Sequence, residues 1–177
     1  MSSTNHVFLI GFMGSGKTTI GRLLSTAISL PFIDLDEVIE HEQGKSVSIL
    51  FNELGEARFR ELEHEVLLNY AKGKPCLIST GGGVPCQFDN MEVMRQNGAT
   101  IYLKASSHEL ALRLKDAVET RPLLKGVEYD CLPAYIESML FTREPYYVKA
   151  EYVVETDGLT DEAVLKQCID ILSITKK

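Results

Sequence analysis

No Cys-x-x-Cys pair occurs in this chain, whose four cysteines, Cys76, Cys86, Cys131 and Cys168, stand far apart with no histidine cluster beside them. That spacing argues against zinc, and the thiols read as small core or surface residues in a reducing compartment. His6, His41, His64 and His108 are isolated from one another and read as ordinary exposed or packed residues. A basic excess is also missing: the net charge of −7 argues against a nucleic-acid or anionic-membrane partner, each of which needs a basic face. No apolar run approaches the ~18 residues of a membrane span, and the short polar-leaning stretch before the first apolar run leaves no room for a signal peptide. A cytoplasmic protein is expected. There is no internal repeat, low-complexity segment or linker. At 177 residues, 45% hydrophobic and 24% charged, the chain is expected to form a single domain, 1–177, with its own core.

What is present is more specific. Residues 11–18 read Gly-Phe-Met-Gly-Ser-Gly-Lys-Thr, matching GxxxxGK(S/T), a loop whose backbone N–H groups cradle the phosphates of a nucleoside triphosphate. Gly11, Gly14 and Gly16 can take positive φ and have no Cβ to block a phosphate. Lys17 offers an ammonium that can follow the γ-phosphoryl group, and Thr18 a hydroxyl for Mg²⁺ where a helix begins. The flanks agree: HVFLI before the loop suits a buried parallel strand, and Thr19–Ser29 carries helical apolar spacing through Ile20, Leu23, Leu24 and Ala27. ATP or GTP is therefore an expected ligand. No NKxD motif for guanine is present, which disfavours a GTPase.

Further apolar runs lie near residues 31–34, 76–79, 99–103 and 151–155, with amphipathic segments between them. That alternation predicts an α/β fold with about five parallel strands. The final stretch, Leu159–Ile174, has the pattern of a packing helix. Residues 115–127 (KDAVETRPLLKGV) are charged and hold Pro122 and Gly126; the composition suits a mobile flap or an ordinary surface loop equally.

Five features have ligand-binding chemistry. Asp34 and Asp36 follow the second strand, at the carboxyl end where open α/β sheets collect ligands. One could hold Mg²⁺ through water and the other position a substrate hydroxyl; equally, Asp36 could cap the next helix. Gly81, Gly82 and Gly83 follow the third strand, and three glycines in a row favour close approach of a ligand over a simple turn ended by Pro85. Arg60 lies on a helical stretch from about Glu56 to Ala71 with Glu63 one turn on; spacing alone favours a plain surface pair, although a fixed guanidinium would suit a carboxylate. Arg121 precedes Pro122 in the suspected flap and could reach the phosphates as charge shifts during transfer. Arg143 ends a helical pattern begun near Asp130, where it could simply face the helix C-terminus.

Taken in order, the phosphate loop, Asp34-Leu35-Asp36, Phe59-Arg60 with Glu63, Gly81-Gly82-Gly83, Arg121-Pro122-Leu123-Leu124 and Arg143-Glu144-Pro145-Tyr146-Tyr147 resemble the shikimate kinase family over essentially the whole chain. The resemblance implies a three-layer α/β/α fold like that of nucleoside monophosphate kinases, with a parallel sheet in the order 2-3-1-4-5. It implies a substrate-binding helical region at about 34–62 and a lid at about 115–127. It further implies that Gly14, Ser15, Gly16, Lys17, Thr18, Thr19 and Arg121 bind ATP and that Asp36, Arg60, Gly82 and Arg143 bind shikimate. Thr18 would serve Mg²⁺ directly and Asp34 through water, and Lys17, Asp36 and Arg121 would be catalytic. For adenine, Arg113 and Lys115 are both candidates. The implied reaction is ATP-dependent phosphorylation of the 3-hydroxyl of shikimate by a monomer. A related small-molecule kinase, such as a gluconate kinase, and a non-catalytic nucleotide-binding module are the alternatives; Arg60, the glycine run and Arg143 favour shikimate, and the full set Lys17, Asp34, Asp36 and Arg121 favours catalysis.

Overall fold

The computed structural model describes residues 6–118 and 121–174. The first apolar run forms strand β1 (His6–Ile10), followed by helix α1 (Lys17–Ile28), strand β2 (Phe32–Asp34) and helices α2 (Leu35–Gln43) and α3 (Val47–Ala71). Strand β3 (Leu77–Ser79), helix α4 (Asn90–Asn97), strand β4 (Gly98–Lys104) and helices α5 (Ser107–Leu114) and α6 (Leu132–Tyr147) come next. Strand β5 (Tyr152–Glu155) and helix α7 (Asp161–Ile174) complete the order. Each apolar run marked in the sequence is a strand.

The strands make one sheet in the order β2-β3-β1-β4-β5, with all neighbours parallel. Every residue of β1 is buried. Its alternation sends Phe8 and Ile10 into a core with Leu35, Leu67, Leu110 and Ile136, and sends Val7 and Leu9 into a second core with Ile20, Leu24, Val164 and Cys168. A strand apolar on both faces must be covered on both. Helices α1 and α7 supply one cover and the remaining helices the other, giving the three layers. Leaving β1 the chain crosses to β2 at one edge, and leaving β3 it crosses past β1 to β4. This reversal opens a crevice at the carboxyl end of β1, where the glycine-rich loop sits.

Two helices differ from the sequence expectation. Helix α3 starts well before Glu56, but Gly55 (φ 77°, ψ 162°) breaks its helical backbone, so Glu56–Ala71 turns independently of the segment before it. Helix α6 continues beyond Arg143 to Tyr147 with Pro145 inside, although a proline beyond the first turn gives up an N–H bond and crowds the carbonyl four residues back. Arg143 therefore sits within a helix and not at its end.

The expected lid is anchored. Leu124 is fully buried and joins the core that contains Leu114, Leu132 and Ile136, while the Tyr135 hydroxyl donates to the Leu123 carbonyl at 2.9 Å. Glu119 and Thr120 of that lid lie outside the described residues. Among the described residues no helix is long and apolar enough to cross a membrane.

Candidate active site

The loop between β1 and α1 turns as its glycines permit, with Gly14 at φ 79° and Gly16, the residue capping α1, at φ 93°. Lys17 folds back across it: Nζ donates to the carbonyls of Gly11 (3.0 Å) and Phe12 (2.8 Å). Burial lowers its pKa from 10.5 to about 8, a fall that the nearby Asp36 and Asp34 carboxylates partly oppose. The ammonium thus stands behind the loop with two weak acceptors, ready for a stronger anion. The Ser15 hydroxyl is buried under the loop with no hydrogen-bond partner among the described residues.

Asp34 and Asp36 divide the two readings that spacing left open. Asp34 is the helix cap: its Oδ1 accepts from the Asp36 backbone N–H at 3.1 Å, while its Oδ2 accepts from the Thr18 hydroxyl at 2.7 Å. Asp36, one residue into α2, is left free to face the crevice. Burial raises its pKa, and the adjacent Asp34 charge raises it further.

A cavity of about 650 Å³ opens over the loop, walled by Gly14, Gly16, Lys17, Thr18, Thr19, Asp34, Asp36, Gly82 and Arg121. Of the two adenine candidates, Arg113 lines this wall and Lys115 does not. The Arg113 guanidinium is steered there by Glu109 Oε1 at 2.8 Å and by the Thr156 hydroxyl and carbonyl at 3.5 and 3.4 Å. Ser79, Thr80 and the Leu159-Thr160-Asp161 segment also form the wall and were missed in the sequence. The strand-end rule that pointed to Asp34 would have found Ser79 and Thr80. Nothing local marks residues 159–161, which reach the cavity only because β5 brings them beside β4.

A second chamber of about 70 Å³ adjoins the first, sharing Met13, Asp36, Gly82 and Arg121 with it and adding Arg60, Glu63 and Arg143. Here the plain surface pair expected at Arg60 is overturned. Arg60 is 7% exposed and Glu63 2%, and Nη1 donates to Glu63 Oε2 at 2.6 Å. The reason is tertiary: the guanidinium lies 5.6 and 5.8 Å from the Phe51 and Phe59 rings and against the glycine run. Burial opposes charge on both partners. Glu63 is pushed up to about 7 despite the pull of Arg60, whereas Glu63 and Glu56 raise Arg60 overall.

The glycine run is explained by the protein's own side chains as much as by any ligand. A Cβ on Gly81 would lie 2.6 Å from Glu63 Oε1 and 3.0 Å from Asp36 Oδ1, and one on Gly83 would lie 2.6 Å from Arg60 Cζ. Gly82 is held from α6, where the buried Tyr147 hydroxyl donates to its carbonyl at 2.5 Å. Burial raises the pKa of that phenol, so it stays protonated and able to donate. Arg143, one helical turn earlier, places its guanidinium 5.4 Å from the Phe12 ring. Arg60 Nε and Arg143 Nη1 are both buried without a hydrogen-bond partner among the described residues. Two cationic groups with unused N–H donors thus line one small chamber, directly beside the loop cavity.

The comparisons with known proteins agree with this geometry. A family model described as shikimate kinase matches residues 13–173. A shikimate kinase of Parabacteroides distasonis is 48% identical over 158 residues, covering 89% of this chain and 91% of that protein. The crystal structure of a shikimate kinase from Bacteroides thetaiotaomicron superposes with a TM-score of 0.88 at 40% identity, over 96% of this chain and 98% of that one. A shikimate kinase from Acinetobacter baumannii, solved in complex with shikimate, gives 0.90 at 30% identity over 98% and 95%. With the loop, the paired cavities and the buried arginines all carried on one five-stranded sheet, the chain belongs to the shikimate kinase family.

Proposed function

We propose that this chain transfers the γ-phosphoryl group of ATP to the 3-hydroxyl of shikimate, giving shikimate 3-phosphate and ADP. The observation that carries the reading is the pair of buried N–H donors, Arg60 Nε and Arg143 Nη1, unpartnered among the described residues, on two residues lining a chamber that shares Asp36, Gly82 and Arg121 with the loop cavity. A buried cationic group with spare donors needs an anion, and shikimate supplies a carboxylate on a hydroxylated ring.

In this reading Gly14, Ser15, Gly16, Lys17, Thr18 and Thr19 hold the triphosphate, Ser15 through its main chain, and Arg113 lies on the adenine side. Arg60, Gly82 and Arg143 hold the shikimate carboxylate end. Asp36 accepts a hydrogen bond from the attacking hydroxyl and aligns it, its raised pKa suiting it to receive the proton as the O–P bond forms. Lys17 and Arg121 balance the charge that shifts toward the β–γ bridging oxygen. The lid at about 115–127, anchored by Leu124, keeps water from competing as acceptor, and the helical region at about 34–62 receives the substrate.

The chemistry of Thr18 and Asp34 fits Mg²⁺. A hydroxyl and a carboxylate oxygen meet at 2.7 Å on the wall of the loop cavity, an all-oxygen donor set next to the phosphate seat. Thr18 would hold the ion directly and Asp34 through water. Bound there, Mg²⁺ would offset negative charge on the β- and γ-phosphates. The proposed unit is a monomer acting in the cytoplasm.

An ADP-release assay with shikimate, gluconate and nucleoside monophosphates tests the reading. Turnover with shikimate alone is expected; turnover with gluconate and none with shikimate overturns it.

A further inference from the structure

Arg60 has a second acidic partner that the proposed reaction does not use. Glu56 stands one turn before Arg60, and its Oε1 accepts from Arg60 Nη2 at 3.2 Å. Unlike Glu63, its side chain is 57% exposed. It also follows Gly55, whose φ of 77° ends the preceding helical segment, so Glu56 opens a new first turn.

The three nitrogens of Arg60 are therefore in three different states. Nη1 is committed to buried Glu63, Nη2 is held by exposed Glu56, and Nε is buried with no partner among the described residues. The Nε–H and one Nη2–H point along the same edge of the guanidinium, the edge that grips a carboxylate with two parallel hydrogen bonds. Glu63 leaves that edge free. Glu56 is bonded to one of its two nitrogens.

We infer that Glu56 is a built-in stand-in for the substrate carboxylate: it occupies Arg60 Nη2 while the chamber is empty and is displaced when an incoming carboxylate takes Nε and Nη2 together. The inference rests on the assignment of Arg60 to the shikimate carboxylate. Its consequence is a selection against weak ligands. A full carboxylate in fork geometry replaces Glu56 and also satisfies the stranded Nε, whereas a neutral or poorly aligned group can do the second but not the first. Displacement is inexpensive because Glu56 returns to water, where a carboxylate is well hydrated; Glu63, being buried, has no such exit.

Shikimate binding to the free protein, measured by calorimetry for wild type and Glu56→Gln, tests this. Removing the competing charge should tighten shikimate binding about two- to fivefold, the range set by an ion pair with one exposed partner, with nucleotide affinity unchanged. The carboxamide analogue of shikimate should show no such gain. Weaker shikimate binding in Glu56→Gln, or an equal change for acid and amide, would make Glu56 a support for Arg60 and overturn the inference. A crystal structure of the wild-type shikimate complex gives a second reading: the Glu56–Arg60 contact should be broken, and its retention at hydrogen-bond distance also overturns the inference. Wild-type turnover with ATP and shikimate, run alongside, separates the two levels. Turnover without tightening removes only the role of Glu56, while no turnover removes the shikimate assignment and this inference with it.

Discussion

Arg60 and Glu63 form a hydrogen-bonded ion pair at 2.6 Å in which neither residue is more than 7% exposed. A buried pair of this kind is weak evidence for stability, because desolvating both charges costs about as much as their attraction returns. Its value here is positional. Glu63 holds the guanidinium against Gly83 in the wall of the small chamber, with Nε buried and without a partner among the described residues.

Truncating that arginine removes a donor from the small chamber and also leaves the Glu63 carboxylate buried without its partner. Arg60→Ala is expected to weaken shikimate affinity by roughly 2 to 5 kcal/mol, the range for truncating a desolvated charge pair, with ATP affinity retained. Calorimetric titration measures both, and an unchanged shikimate affinity would remove Arg60 from the substrate site.

Gly83→Ala probes the same geometry from the other side. The new Cβ would lie 2.6 Å from Arg60 Cζ, so the guanidinium must shift. The KM for shikimate should rise while the KM for ATP stays near wild type. Equal rises in both would mean that the whole crevice had moved.

Arg121→Ala should act on turnover. A loss of about 10³-fold or more in single-turnover phosphoryl transfer is expected for a cation that balances transition-state charge, with substrate affinities changed far less. A normal single-turnover rate would place Arg121 outside the chemistry.

The depressed pKa of Lys17 gives a pH dependence with a definite sign. In the free protein Lys17 carries its charge below about pH 8 and loses it above, whereas bound phosphates favour the ammonium and raise its pKa again. ATP affinity should be level below about pH 8 and then fall, by up to tenfold per pH unit, as binding must first take up a proton. Affinity that stays flat from pH 7 to 9.5 would contradict this.

Asp34 joins two tasks that substitution can separate. Asparagine can still cap α2, whereas alanine cannot, so Asp34→Ala should lose about 1 kcal/mol of stability that Asp34→Asn retains. Both should raise the Mg²⁺ concentration needed for half-maximal turnover. Thermal unfolding and Mg²⁺ titration check the two halves, and an unaltered Mg²⁺ requirement in both variants would free Asp34 from the metal.

The phosphate loop was legible from its residues alone, because its chemistry is local: the glycines, the lysine and the hydroxyl that do the work are consecutive, and flanking apolar runs announced the strand and helix. The five strands were legible for the same reason. The parallel pairing follows from strand–helix alternation, while the order β2-β3-β1-β4-β5 came only from the family resemblance. Asp36 and Arg143 were left between two readings, and Arg60 was read from spacing as a surface pair, since no local pattern distinguishes an exposed i, i+3 pair from one covered by rings and glycines distant in the chain.

What the sequence by itself determined is therefore the nucleotide half of the site, where backbone conformation over a few residues creates the binding chemistry. The acceptor half was decided by tertiary structure. Gly83 must close on Arg60, Tyr147 must hold Gly82 from a helix 65 residues away, and Arg143 must lie over Phe12. Only that convergence removes water from two arginines and leaves each with an N–H unsatisfied among the described residues, and desolvation, which spacing along a chain does not record, is what turns them from solvated surface charges into the proposed seat for a carboxylate.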